Sequence, residues 1–255
     1  MDPEAIGDLL DALSDPEQAR RTRQHIRPIR GVRGVASGEI SRIAVAIWEE
    51  EDTALPQAGP ALGVLFSSAF EDGLVALSLL AAKTPTQPVE ALHVALDWMD
   101  RVDDLTTADS LGWGVIGPVL LQRPDLMPEV FDYAHHSSPY SRRAALMSAM
   151  AGLPEPVEGA VAACLREMLG HRAVRFVDEP DPQWISTFLT LFLRDEAPPV
   201  RKALRRVCAT WAFYSPDDAM EWANTTPGGI PKMVRREMEK KCTKGNKRRA
   251  QAAKP

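Results

Sequence analysis

The 255-residue sequence predicts an all-α fold, an α-solenoid in which antiparallel helix pairs stack one upon the next. Three observations carry this. No stretch alternates apolar and polar residues over six or more positions, so strands have no signal. Apolar residues instead recur at helical spacing along most of the chain. Proline marks the joints, at Pro85, Pro88, Pro124, Pro139, Pro154, Pro180, Pro182, Pro198, Pro216 and Pro231, several of them where a first helical turn tolerates a missing N–H.

The acidic stretch 1–24 reads as a first helix pair and nothing more specific. Residues 38–50 put Ile40, Ile43, Ala44 and Ile47 on one face, with Ser37 or Ser41 as cap. Residues 70–83 carry Glu71 and Asp72 in the first turn and Lys83 in the last, matching the helix dipole. Further helices read at 88–101, 108–121, 126–135, 140–151, 156–170, 183–194, 198–213, 217–224 and 230–241. A four-helix bundle needs fewer and longer helices than these. Pairs recur at roughly 35–40 residues, the length of HEAT-type repeats. The clearest unit is Asp195-Glu-Ala-Pro-Pro-Val-Arg-Lys-Ala203: an acid as cap, proline in the first turn, Val200 and Ala203 inward, Arg201 and Lys202 outward. Residues 1–242 are thus expected to form a HEAT-like solenoid. Residues 243–255 hold no apolar side chain beyond alanine and read as a basic, disordered tail.

Composition narrows the class of function. Hydrophobic residues at 45% and charged residues at 25% are the balance of a soluble globular protein. No run of about 18 apolar residues offers a membrane span. The opening MDPEAIGDLLDALSDPEQ lacks the basic and apolar regions of a signal peptide, which points to the cytoplasm. Cys164, Cys208 and Cys242 are odd in number and scattered, as reduced thiols are. Charge is uneven along the chain. Residues 201–255 carry 14 Lys/Arg against 5 Asp/Glu, whereas residues 1–200 carry 16 against 30. A basic quarter on an acidic body points to a polyanionic partner, or to a solubilising tail.

No glycine-rich phosphate loop, dinucleotide fingerprint or GxSxG elbow is present. His135 and His136 are adjacent and point about 100° apart on a helix. His25, His93 and His171 have no Cys or His at ligand spacing, so neither a metal nor a cofactor is expected. What remains is a carboxylate, a set of arginines and some tryptophans. Asp109 precedes Trp113 by four residues, which puts both on one helix face. Tyr140-Ser-Arg142-Arg143 opens a helix with two guanidinium groups. Arg201, Lys202, Arg205 and Arg206 form a cationic stripe of the kind that phosphate contacts need. Each residue also has a plainer reading: Asp109 as a first-turn acid, Trp113 as core, the arginines as a solvated helix start.

These stretches resemble the HEAT-like repeat alkylpurine DNA glycosylases of bacteria, the DNA alkylation repair enzymes. The resemblance runs from about Gly31 to about residue 240. Asp109-Ser-Leu followed by Val115-Ile-Gly-Pro-Val-Leu-Leu is similar to the segment bearing the family's catalytic aspartate. Tyr140-Ser-Arg142-Arg143 is similar to its aromatic-x-Arg-Arg helix, and Val200-Arg-Lys-Ala-Leu to its last full repeat. The resemblance implies hydrolysis of the N-glycosidic bond of N3- or N7-alkylated purines in duplex DNA. Asp109 would stabilise the oxocarbenium-like sugar and place the attacking water. Arg143 would hold a phosphate near the lesion, with Tyr140, Arg142, Arg201, Lys202, Arg205 and Arg206 as further DNA contacts. It implies no cofactor, a monomer, and a cytoplasmic place beside the nucleoid.

The sequence departs from that pattern at the aromatic walls. Leu105 stands where the family has a tryptophan four residues before the aspartate, and Arg206 where it has a second one. Pro198-Pro199 replaces an aromatic pair. Trp113 is the candidate replacement wall. Two alternatives stay open: a non-catalytic HEAT-repeat protein that binds damaged or branched DNA, and a protein-interaction scaffold.

Overall fold

The computed structural model describes residues 1–26, 28–50, 53–156, 159–170 and 175–252. Among these it is all-helical, with no strand. The helices are α1 (Pro3–Ala12), α2 (Pro16–His25), α3 (Ser37–Glu50), α4 (Leu55–Ser67), α5 (Phe70–Lys83), α6 (Pro88–Trp98) and α7 (Leu105–Leu111). A π-helical turn (Gly112–Ile116) joins α7 to α8 (Gly117–Gln122). Then come α9 (Met127–Phe131), α10 (Pro139–Met147), α11 (Ala160–Leu169), α12 (Pro182–Phe192), α13 (Pro198–Tyr214), α14 (Pro216–Thr225) and α15 (Lys232–Ala252). Proline stands in the first turn of many of them, where no intrahelical donor is lost.

The helices form an α-solenoid in two layers. One layer runs α5, α7, α10, α13, α15, each packed on the next. The other carries α4 against α6 and α12 against α14. Every described side chain of α5 except that of Lys83 is buried, because α3, α4, α6 and α11 surround it. Trp98 stacks on Phe66 with ring centroids 4.3 Å apart, locking α6 to α4. One contact departs from a strict linear array: α11 folds back onto α3 and α5.

Two expectations are corrected. The segment from 243 continues α15 as far as Ala252 instead of fraying. Its Lys, Arg, Gln and Ala residues favour helix, and Val234, Met238 and Gly245 form a buried seam against neighbouring helices. A Cβ at Gly245 would stand 2.2 Å from the Phe213 carbonyl oxygen, so only glycine permits that approach. Helix α4 was not expected at all; it carries Pro60 in its interior, on the exposed side. Residues 157 and 158 of the helix expected at 156–170, His171 and the last three residues of the chain lie outside the described residues.

Candidate active site

The site begins with the start of α7. Asp104 caps it, accepting from the Thr107 N–H at 2.8 Å with its own side chain fully buried. Arg30 donates to Asp104 Oδ2 at 3.2 Å and to Thr107 Oγ1 at 2.7 Å. The backbone N–H groups of Ile29 and Arg30 donate to Asp103 Oδ2. The chain entering α3 is therefore clasped to the head of α7. Asp109 lies a full turn inside α7, so the plainer reading of it as a first-turn acid is excluded by geometry.

The next turn fixes its neighbour. A Cβ at Gly112 would meet the Ala144 carbonyl oxygen at 2.1 Å, so glycine alone lets α10 pass this close. That crossing brings Arg143 against Asp109, one turn before the glycine. Arg143 donates Nε to Oδ1 at 2.7 Å and Nη2 to Oδ2 at 2.9 Å, a bidentate pair. Its remaining Nη1 donates to the Pro199 carbonyl at 2.6 Å, at the head of α13. Arg143 is 2% exposed and Asp109 18%. From α13, Arg206 Nη1 donates to the same Oδ2 at 3.2 Å, and its guanidinium lies 5.0 Å from the Trp113 ring centroid. Arg206 is 36% exposed.

Asp109, Arg143 and Arg206 line a cleft of about 310 Å³ with Lys202 and Leu105, closed by His25 and Ile26 at the end of α2. Its charged lining is one carboxylate against two guanidiniums and an ammonium. Lys202 and Arg206 also line a neighbouring groove of about 760 Å³ between α13 and α15, with Arg201, Arg205 and Lys241. Three successive helices of one layer thus each supply one charged group to a single point.

The model of the DNA alkylation repair enzyme family matches residues 6–173. The chain belongs to that family. The match holds Asp109 and Arg143 and ends before α13. A solved structure of a predicted DNA alkylation repair enzyme from Enterococcus faecalis is similar in fold, with a TM-score of 0.66 at 13% identity. That similarity covers 89% of this chain and 95% of the other. No curated protein matches the chain in sequence. Family membership gives the protein a role in DNA alkylation repair.

The residues that the sequence singles out fall into three groups here. Asp109, Arg143, Lys202 and Arg206 meet in the cleft, and Arg201 and Arg205 stand exposed along the adjoining groove. Of the four-residue stripe, Arg206 alone is ion-paired among the described residues. Arg142 points elsewhere: it pairs with Asp195 at 2.6 Å and donates to the carbonyls of His136 and Ser137. Asp195 also accepts from the Ala197 N–H, so it braces the entry to α13 instead of capping the helix or facing the stripe. Tyr140 is half-buried in the first turn of α10 and does not line the cleft. Trp113 is corrected as an open wall: it is 2% exposed, and Arg206 covers its ring.

Sequence reading missed the Pro199 carbonyl, the end of α2, and the α15 face that carries Lys241. The first two have no side-chain signature, since a backbone oxygen and a helix end acquire meaning only through tertiary contact. Among the described residues no group of three His, Cys, Asp or Glu is placed to hold a metal ion. Nor is any described helix long and apolar enough to cross a membrane.

Proposed function

We propose that the protein excises N3- or N7-alkylated purines from duplex DNA by hydrolysing the N-glycosidic bond, with Asp109 as the catalytic carboxylate. One observation carries the reading: a carboxylate aimed by a buried arginine at the mouth of a cationic cleft that opens into a basic groove. An N3- or N7-alkylated purine is already cationic and leaves as a neutral base. The bond from C1′ to the purine nitrogen lengthens first, and positive charge builds on the sugar. A fixed carboxylate beside C1′ stabilises that charge without reorganising. Water then bonds to C1′ and its proton passes to solvent, leaving an abasic site. Arg143 keeps Asp109 aimed. Arg201, Lys202 and Arg205 hold backbone phosphates along the groove.

The test is release of alkylated base from methylated duplex by wild type and by Asp109→Asn. Release by wild type and its loss in the variant, with duplex binding retained, supports the proposal. A second reading, a non-catalytic binder of damaged DNA, is favoured by the second guanidinium on Asp109 and by the covered Trp113 ring. Salt-sensitive duplex binding with no release from either protein selects that reading.

A further inference from the structure

We infer that Arg206 is a positioning residue that caps Asp109 in the DNA-free protein and uncaps it when a backbone phosphate takes its guanidinium. This rests on the glycosylase reading of Asp109. A carboxylate offers about four acceptor directions, two on each oxygen. Arg143 takes one on Oδ1 and one on Oδ2, and Arg206 takes the second on Oδ2. While Arg206 sits there, one direction on Oδ1 is left for a water. The carboxylate then faces two guanidiniums, with the Lys202 ammonium in the same cleft, which opposes a developing sugar cation.

The two arginines are held in different ways. Arg143 is buried, with two short contacts to Asp109 and a third to the Pro199 carbonyl. Arg206 makes one contact of 3.2 Å and is far more exposed. It also lines both the Asp109 cleft and the α13–α15 groove, where the cations offered to phosphate stand. Turning toward the groove costs it one ion-paired hydrogen bond of 3.2 Å and its contact with the Trp113 ring, and gains charge-assisted bonds to phosphate beside the cations of the groove. The same movement lifts the guanidinium from Trp113, uncovering the ring face beneath it. One displacement therefore frees Asp109 Oδ2 and bares an aromatic surface for a cationic nucleotide.

Arg206→Met and Arg206→Lys test this, using duplex treated with dimethyl sulfate. Base release is followed in a single turnover at saturating protein, and duplex affinity is measured separately. Removing the cap predicts a split: Arg206→Met binds duplex roughly tenfold more weakly yet, once bound, releases base within about twofold of the wild-type rate, because the bound duplex has already uncapped Asp109 in wild type. Arg206→Lys, which keeps a cation able to reach both anions, returns the affinity toward wild type. Release in Arg206→Met about tenfold slower than wild type once bound, or an unchanged duplex affinity, overturns the inference.

A second readout separates this from failure of the glycosylase reading. The Trp113 emission, taken as wild type minus Trp113→Phe, is followed on adding unmodified duplex. A change in wild type that is absent in Arg206→Met supports displacement even if no base is ever released. No change in wild type overturns it, whatever the activity.

Discussion

Asp104 opens α7 with its carboxyl pushed above the ordinary aspartate range, chiefly by burial, against the opposing pull of its bonds to Thr107 and the charge of Arg30. The folded protein therefore holds this proton at pH values where the unfolded chain has released it. Its contribution to stability is full in acid, below the unfolded value, and falls as pH rises through the folded one. Asp104→Asn keeps an acceptor for the Thr107 N–H and removes the titration. Urea unfolding from about pH 4 to pH 7 should show the wild-type advantage over Asp104→Asn shrinking as pH rises. Residue identities in the site divide by what selects them. Asp109 and Arg143 are readable because an acid and an arginine pair stand out in otherwise apolar helices. The partner of Arg142 is not, since Asp195 lies 53 residues further on and no local spacing relates the two. Arg206 reads as one cation in a stripe, and only the fold turns it toward Asp109 and Trp113.

At the scale of helices, the crossing of α7 and α10 decides whether there is a site. Gly112→Ala would drive a methyl into the Ala144 carbonyl and push the helices apart, at a cost of roughly 1–3 kcal/mol. Gly114→Ala is the matched control, because its Cβ would meet Val161 at 3.6 Å, an ordinary contact. Chemical denaturation should find the first variant destabilised and the second within about 0.5 kcal/mol of wild type. Helix positions were readable where proline and apolar period agree, as in α10 and α13, or where end charges match the dipole, as in α5. They failed where the two disagree: Pro60 hides α4, and the polar end of α15 takes its order from a seam of three small or apolar residues. The π-helical turn after α7 has no sequence signal beyond the glycines that flank it.

Across the whole molecule, the row α7, α10, α13, α15 joins an acidic body to a basic end. Under the proposed function, Arg201, Lys202 and Arg205, unpaired among the described residues, should make duplex binding depend steeply on salt. Neutralising each in turn should reduce the slope of log affinity against log salt by about 0.9, measured from 50 to 200 mM salt. The charge asymmetry and the stacking of helix pairs were both readable from the sequence. The return of α11 to α3 and α5 was not, because it joins segments far apart in the chain that no local spacing relates.

Arg143 touches three members of that row: its own helix, Asp109 in α7 and Pro199 at the head of α13. In a linear array, each unit is stabilised by itself and by its neighbours, and unfolding spreads only as far as the couplings carry it. A side chain that spans three units is such a coupling. Arg143→Met should split thermal unfolding into two steps, with the calorimetric enthalpy exceeding the van't Hoff value, where wild type melts as one. On this expectation, the guanidinium that aims the carboxylate also couples the unfolding of the helices on either side of it.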